Sequence, residues 1–219
     1  GLERLSFRNL VQPGGPEFNE EAVKLLAAEW PNQIPTLTDA GEPAKRPAKL
    51  SDPMLGPYAN ELQARAAQNG ALPPDLSIIV KARNTSRDPA WYIHPFLMLG
   101  DIVNSFQDGG ADYLYALLTG YHDAPADVKV GDGMNYNVAF PGNQLAMPNP
   151  LAEGSVTYQD GTKPTVDNYA RDVTAFLAWA ADPSLNQRKR IGWQVMLYLL
   201  ITTVLLGLGK RRVWAGVKH

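Results

Sequence analysis

Met147 sits in Pro141-Gly142-Asn143-Gln144-Leu145-Ala146-Met147-Pro148-Asn149-Pro150, a loop stiffened by three prolines around one thioether. Proline fixes φ and so narrows the conformations open to such a loop. Rigid presentation of a soft sulfur is what an axial haem ligand requires, and methionine ligation raises the iron potential. The other reading is a methionine that fills a gap in the core, and spacing alone does not choose between them. Arg83 and Arg65 are candidates to pair with propionates, or to form ordinary surface ion pairs. Tyr113, Tyr115 and Tyr121 are equally suited to lining a site and to plain packing. The three histidines are scattered: His94 in an apolar stretch, His122 in a turn after Gly120, and His219 at the end. A lone histidine in a loop is ordinarily solvated, so none is assigned as a ligand.

Absent groups narrow the chemistry further. The chain has no Cys, which excludes disulfides, Cys-ligated zinc, Cys-ligated iron–sulfur clusters and a thiol nucleophile within it. It has no phosphate-binding P-loop, no G-x-S-x-G elbow and no His-Glu-x-x-His helix, so hydrolase readings have little to stand on.

Two oppositely charged bodies lie within a formal net charge of −2. Residues 1–187 carry 13 basic against 22 acidic side chains, net −9, while residues 188–219 carry seven basic side chains and no acid. A strongly negative body argues against nucleic acid and for a basic partner. Between Arg188-Lys189-Arg190 and Lys210-Arg211-Arg212 lies 191–209, nineteen residues without a formal charge. As a helix this stretch is roughly 28 Å long, close to the hydrocarbon core of a bilayer. Its polar members Gln194, Thr202 and Thr203 can bond internally or to a neighbouring helix. A membrane span is expected here, with four basic residues after it against three before it. By the positive-inside rule that small excess favours a cytoplasmic C-terminus, which is the expectation.

The elements that must position Met147 and the arginines are short helices between Pro-rich connections. Asn19 caps a helix with Ala22, Val23, Leu25, Leu26 and Trp30 that stops at Pro31. Residues 31–57 hold six prolines and are expected to be loop. Further helices are expected over 59–69, with Gly70 as terminator, and over 75–83 after Pro73-Pro74. Residues 91–106 are apolar and read as an inserted helical hairpin or loop, followed by a helix over 111–119. Asp160-Gly161 marks a small hairpin between Val156-Thr157-Tyr158 and Thr162. Thr165 caps the last helix of the body, with Val166, Tyr169, Val173, Phe176, Leu177 and Ala180 on one face and Pro183 beyond its end. The fold class is mainly α with long Pro-rich loops and one C-terminal transmembrane helix. The expected division is a body over 1–187 and an anchor over 188–219.

Five stretches then line up in chain order: Arg46-Pro47-Ala48-Lys49-Leu50-Ser51-Asp52, Asn69-Gly70-Ala71-Leu72-Pro73-Pro74-Asp75-Leu76-Ser77, and Asp112-Tyr113-Leu114-Tyr115-Ala116-Leu117-Leu118-Thr119-Gly120-Tyr121, then the Met147 loop and Phe176-Leu177-Ala178-Trp179-Ala180-Ala181-Asp182-Pro183 before Arg188-Lys189-Arg190. Together they resemble one family, cytochrome c1, the haem subunit of ubiquinol–cytochrome c reductase (complex III). The insert at about 86–110 is similar to the alphaproteobacterial version of the subunit.

The resemblance implies a cytochrome c-like haem domain in the periplasm, tethered to the bacterial inner membrane. It implies haem c as cofactor, with Met147 as sixth iron ligand, Arg83 against a propionate, and Tyr113, Pro73 and Pro74 lining the crevice. It further implies cytochrome b and the Rieske iron–sulfur protein as partners in a dimeric complex, respiratory or photosynthetic. Electrons would pass from the Rieske cluster to a soluble cytochrome c, so the chain would not be catalytic alone. The negative body fits a basic acceptor, with Asp123, Asp127 and Asp132 near enough in sequence to share a patch. Two departures stand out. Gln68 occupies a position that is commonly Asn in the family, and the Cys-x-x-Cys-His haem-attachment motif is missing. Gly1-Leu2-Glu3-Arg4 resembles the residues that follow that motif, so the expectation is a cytochrome c1 without its N-terminal segment. A non-covalently held haem or an apo fragment are the alternatives. Two other functions compete: a haemless membrane-anchored structural or assembly subunit of the same complex, and a periplasmic ligand-binding domain with a C-terminal anchor.

Overall fold

A computed structural model describes residues 1–83, 90–103 and 109–216. The chain separates into two compact units, Gly1–Ala181 and Asp182–His219. The first unit is mainly α, with three two-stranded antiparallel sheets among the described residues. Strand β1 (Leu2–Ser6) leads into a short 3-10 turn, Phe7–Leu10, and helix α1 (Glu20–Ala28). Asn19 caps α1 as expected, its side-chain oxygen accepting from the Glu21 N–H at 2.8 Å.

The 31–57 stretch differs from its expectation. Strands β2 (Ile34–Leu37) and β3 (Pro43–Arg46) form a hairpin, and β4 (Pro53–Met54) pairs with β1. The prolines are tolerated because a two-stranded sheet has only edges, where a missing N–H can face solvent. Arg46 clamps the end of the hairpin, its guanidinium reaching Asp52 at 2.5 and 2.9 Å, and the Lys49 N–H adds a third bond to Asp52 at 2.7 Å.

Helix α2 (Glu61–Ala67) begins at an Asn60 cap. The chain then turns through Asn69 and Gly70, both at positive φ. The expected 75–83 helix is split into a 3-10 turn, Leu76–Ile78, and helix α3 (Ile79–Ala82). Asp75 causes the tighter start, since its carboxylate bonds both the N–H and the hydroxyl of Ser77. Among the described residues of the insert, His94–Val103 form helix α4, with Trp91 and Phe96 largely exposed. Residues 84–89 and 104–108, including the Phe106 end of the expected hairpin, lie outside the described residues. Helix α5 (Gly109–Thr119) follows, then strands β5 (Asn135–Tyr136) and β6 (Gln144–Leu145).

The hairpin expected around Asp160-Gly161 is absent among the described residues. Val156 instead exchanges bonds with the Tyr169 hydroxyl of α6 (Val166–Ala181), and Tyr158 stacks on Tyr169 with ring centroids 5.7 Å apart. Backbone groups that would have made a strand ladder are thus satisfied by side chains of a helix. On α6 the buried stripe runs through Tyr169, Ala170, Thr174, Leu177 and Ala180, with Val173 left partly exposed.

Two apolar clusters form the core. One gathers Leu5, Phe7, Leu10, Val23 and Ala27 with Met54 and Ala180. The other gathers Ile79, Val80, Leu114 and Leu177. Phe176 and Leu2 pack against both.

In the second unit, helix α7 (Leu185–Trp214) carries both basic triplets and is long and apolar enough to cross a membrane, with a mean hydropathy of 1.9 over its apolar window. The Thr203 hydroxyl bonds the Leu199 carbonyl at 2.7 Å, which satisfies it within the helix. Arg188 pairs with the buried carboxylate of Asp182.

Candidate haem site

The candidate residues fall at three places in the first unit. Tyr113, half-buried on α5, packs against the Ile79–Leu177 cluster. Arg83 follows the last turn of α3, the helix that supplies Ile79 and Val80 to that cluster, and its side chain is exposed. Thus Tyr113 packs on the cluster to which α3 contributes Ile79 and Val80, and Arg83 follows that helix in the chain. Pro73 and Pro74 are exposed just before the Asp75 cap. That turn is fastened to the start of the chain: the Leu76 N–H bonds the Gly1 carbonyl at 2.9 Å, and the Arg4 N–H bonds the Ser77 hydroxyl at 3.0 Å. Gly1 also lies so close to Gly56 that a Cβ on it would sit 2.9 Å from the Gly56 backbone. Gly1 is thus held between Leu76 and Gly56.

Met147 stands at the other end of α5. Residues 135–145 double back as β5 and β6, and a fully buried asparagine locks them to the helix. Asn137 Nδ2 donates to the Leu117 carbonyl at 2.8 Å, while its Oδ1 accepts from the Ala139 N–H at 2.9 Å. The Val138 N–H bonds the Gly120 carbonyl at 3.0 Å. Gly120 admits this approach because a Cβ there would lie 2.6 Å from the Ala116 carbonyl and 2.9 Å from Asn137 Oδ1. From this base the Tyr121 hydroxyl donates to the Met147 carbonyl at 3.1 Å. The Met147 side chain is 39% exposed and belongs to neither apolar cluster, so it does not fill a gap in either.

The remaining candidates are engaged elsewhere. Tyr115 bonds Asp167 of α6, with Arg171 over its ring at 5.4 Å, so it joins two helices. The Asp167 bond is the main reason that the Tyr115 phenol is pushed up from its usual range. Arg65 bonds the Gly70 carbonyl at 3.2 Å, closing its own turn, and Gln68 donates to the Tyr58 hydroxyl at 2.7 Å. His122 is exposed beside an open hollow lined by Tyr121, Asn135 and Asn149, and His94 is exposed on α4. His219 lies outside the described residues. Asp123, Asp127 and Asp132 are all exposed. Sequence reasoning missed Asn137 and Asn135; in the chain they read as loop asparagines, and only the fold reveals what they bond.

The donor set fits a haem. A single thioether on a rigid loop suits a low-spin haem iron, and among the described residues no group of three His, Cys, Asp or Glu could hold a bare metal ion. Leu72 and Leu76, on either side of Pro73-Pro74, are 40% and 39% exposed.

Comparison with known proteins decides the family. The model of the Cytochrome C1 family matches residues 1–217. The chain belongs to the cytochrome c1 family. Cytochrome c1 of Blastochloris viridis is 46% identical over 217 residues, covering 99% of this chain and 75% of that protein. The cytochrome b/c1 of Bradyrhizobium diazoefficiens is 41% identical over 221 residues, covering 98% of this chain and 30% of that protein. A mitochondrial haem protein, cytochrome c1 of Saccharomyces cerevisiae, is 41% identical over 218 residues, covering 99% of this chain and 62% of its own length. Membership in this family carries an electron-transfer role and haem c binding, as the resemblance implied. Nothing in the comparisons favours the haemless alternative.

Proposed function

We propose that this chain is the haem-bearing electron carrier of a ubiquinol–cytochrome c reductase, working beside cytochrome b and the Rieske iron–sulfur protein in a dimeric complex. Electrons pass from the Rieske cluster to a soluble cytochrome c. Bound haem c supplies the one-electron iron couple; the chain's own residues hold and tune it. Met147 would hold the haem iron through its thioether, and Arg83 would offer a positive charge to a propionate. Tyr113, Pro73 and Pro74 exclude water from the crevice. The attachment cysteines and a histidine ligand are not in this chain and would have to be supplied from outside it.

Residues 1–187 form the periplasmic domain and residues 188–219 the anchor in the bacterial inner membrane, with its C-terminus in the cytoplasm. The exposed acids Asp123, Asp127 and Asp132 belong to the face that steers a basic cytochrome. The observation that carries the proposal is the Met147 loop, which is braced to α5 through Asn137 and Tyr121 yet leaves its thioether outside both clusters.

A reduced-minus-oxidised spectrum of the protein carrying its upstream segment tests this. The expected result is a c-type α-band in the parent and a lowered potential in Met147→Leu. A parent without the band, or a Met147→Leu protein with an unchanged potential, overturns the assignment. In the same preparation, neutralising the three aspartates is expected to slow cytochrome c association and flatten its salt dependence. An unchanged rate removes them from the docking face.

A further inference from the structure

Met147 lacks the packing that usually orients a buried side chain, so its direction must be set through its backbone. Pro148 does part of this, because a residue before proline is confined to extended conformations. What remains free is the plane of the Met147–Pro148 peptide, and its carbonyl is where two side chains converge. Tyr121 donates its hydroxyl at 3.1 Å, and Asn135 donates Nδ2 at 3.4 Å while also reaching the Leu145 carbonyl at 3.5 Å. The Tyr121 bond is the shorter and stands on the firmer base, since its own backbone bridges Asn137 directly after α5.

We infer that Tyr121 is a positioning residue for the axial ligand, holding the Met147 carbonyl so that the thioether keeps one direction toward the iron. Asn135 assists it. The inference rests on Met147 being the ligand, and its consequence is a gate. The methionine leaves the iron only when the loop lets go of Tyr121. The hollow bordered by Tyr121, His122, Asn135 and Asn149 lies beside this bond, so water can reach the carbonyl once the hydroxyl is removed. Loss of one neutral hydrogen bond under those conditions raises the loosened population about five-fold.

The test uses the full-length, haem-loaded protein in membranes and two readouts: carbon monoxide binding to the ferrous form, which requires the methionine to leave, and the methionine–iron charge-transfer band of the ferric form. Tyr121→Phe is expected to bind carbon monoxide about five-fold faster and to weaken the band. Asn135→Ala is expected to do so less, and Met147→Leu to lose the band outright. If Met147→Leu behaves so but Tyr121→Phe matches the parent, or loses only thermal stability, the positioning role is overturned while the ligand assignment survives. If Met147→Leu keeps the band and the slow binding, the ligand assignment falls and this inference with it. Should Tyr121→Phe fail to load haem, Asn135→Ala carries the same readouts, and parent-like behaviour there overturns the inference.

Discussion

Phe7 and Asn137 are both wholly buried, yet the regions around them are held by opposite means. Phe7 sits among Leu5, Leu10 and Val23 and meets Trp30 edge-on, with ring centroids 5.2 Å apart. Asn137 is surrounded by backbone it must satisfy, a carbonyl from α5 on one side and a loop N–H on the other. Apolar packing is non-directional and draws side chains inward. A hydrogen-bonded brace fixes a backbone while leaving neighbouring side chains free to face outward. A loop that must present a thioether to something outside the protein core needs the second kind of support. That difference separates the part of the body that keeps the chain folded from the part that aims Met147.

The largest expected effect probes the packed region. Phe7→Ala removes a fully buried ring and leaves a cavity in a cluster contributed by four separate segments, so it is expected to lower the unfolding free energy by about 3–5 kcal/mol. Urea denaturation of the detergent-solubilised chain measures this. A loss below about 1 kcal/mol would mean that the cluster collapses onto the gap and is not the rigid half of the comparison.

Asn137→Ala probes the braced region and is expected to cost about 1–3 kcal/mol, because it strands the Leu117 carbonyl and the Ala139 N–H away from water. Its signature is local. Hydrogen exchange at the Ala139 and Val138 amides should accelerate well beyond the global change, whereas in Phe7→Ala they should follow it. Equal acceleration in both variants would erase the distinction between the two regions.

The two regions also differ in how far they could be read from the chain. Helix α1 was legible because Asn19 caps it and Pro31 bounds it, and α5 and α6 because their apolar spacing is helical. All of these signals are local. The pairing of β1 with β4 joins Leu2 to Met54 across some fifty residues, and no local pattern encodes it. The hairpin of β2 and β3 was hidden by its prolines, which break central strands but not edges. At the candidate site the Met147 loop was legible from its three prolines, whereas Tyr121 looked no different from Tyr115. One bonds the Met147 carbonyl and the other a carboxylate on α6, a difference made only by the fold.

Asp52 gives the smallest effect and the sharpest sign. It lies next to the packed region but is held by charge: the Arg46 guanidinium, then the Lys49 N–H, keep its carboxyl below the usual carboxylate range. A carboxylate whose folded pKa is lowered adds stability that is fully present above the unfolded value, about 3.9, and is lost as pH falls through the folded value. The parent should therefore shed part of its stability on acidification below about pH 4. Asp52→Asn should lack that component while costing less at neutral pH than either substitution above. The pair closes the β2–β3 hairpin just before β4, so its loss should loosen Pro53–Met54 and, through Met54, touch the Phe7 cluster. It should not change exchange at Ala139. Denaturation midpoints across the acid range, with exchange at Ala139 followed in parallel, check both halves. An Asp52→Asn protein whose acid sensitivity equals the parent's would show that other carboxylates set it, and one that loosens Ala139 would show that the packed and braced regions are coupled through β4 after all.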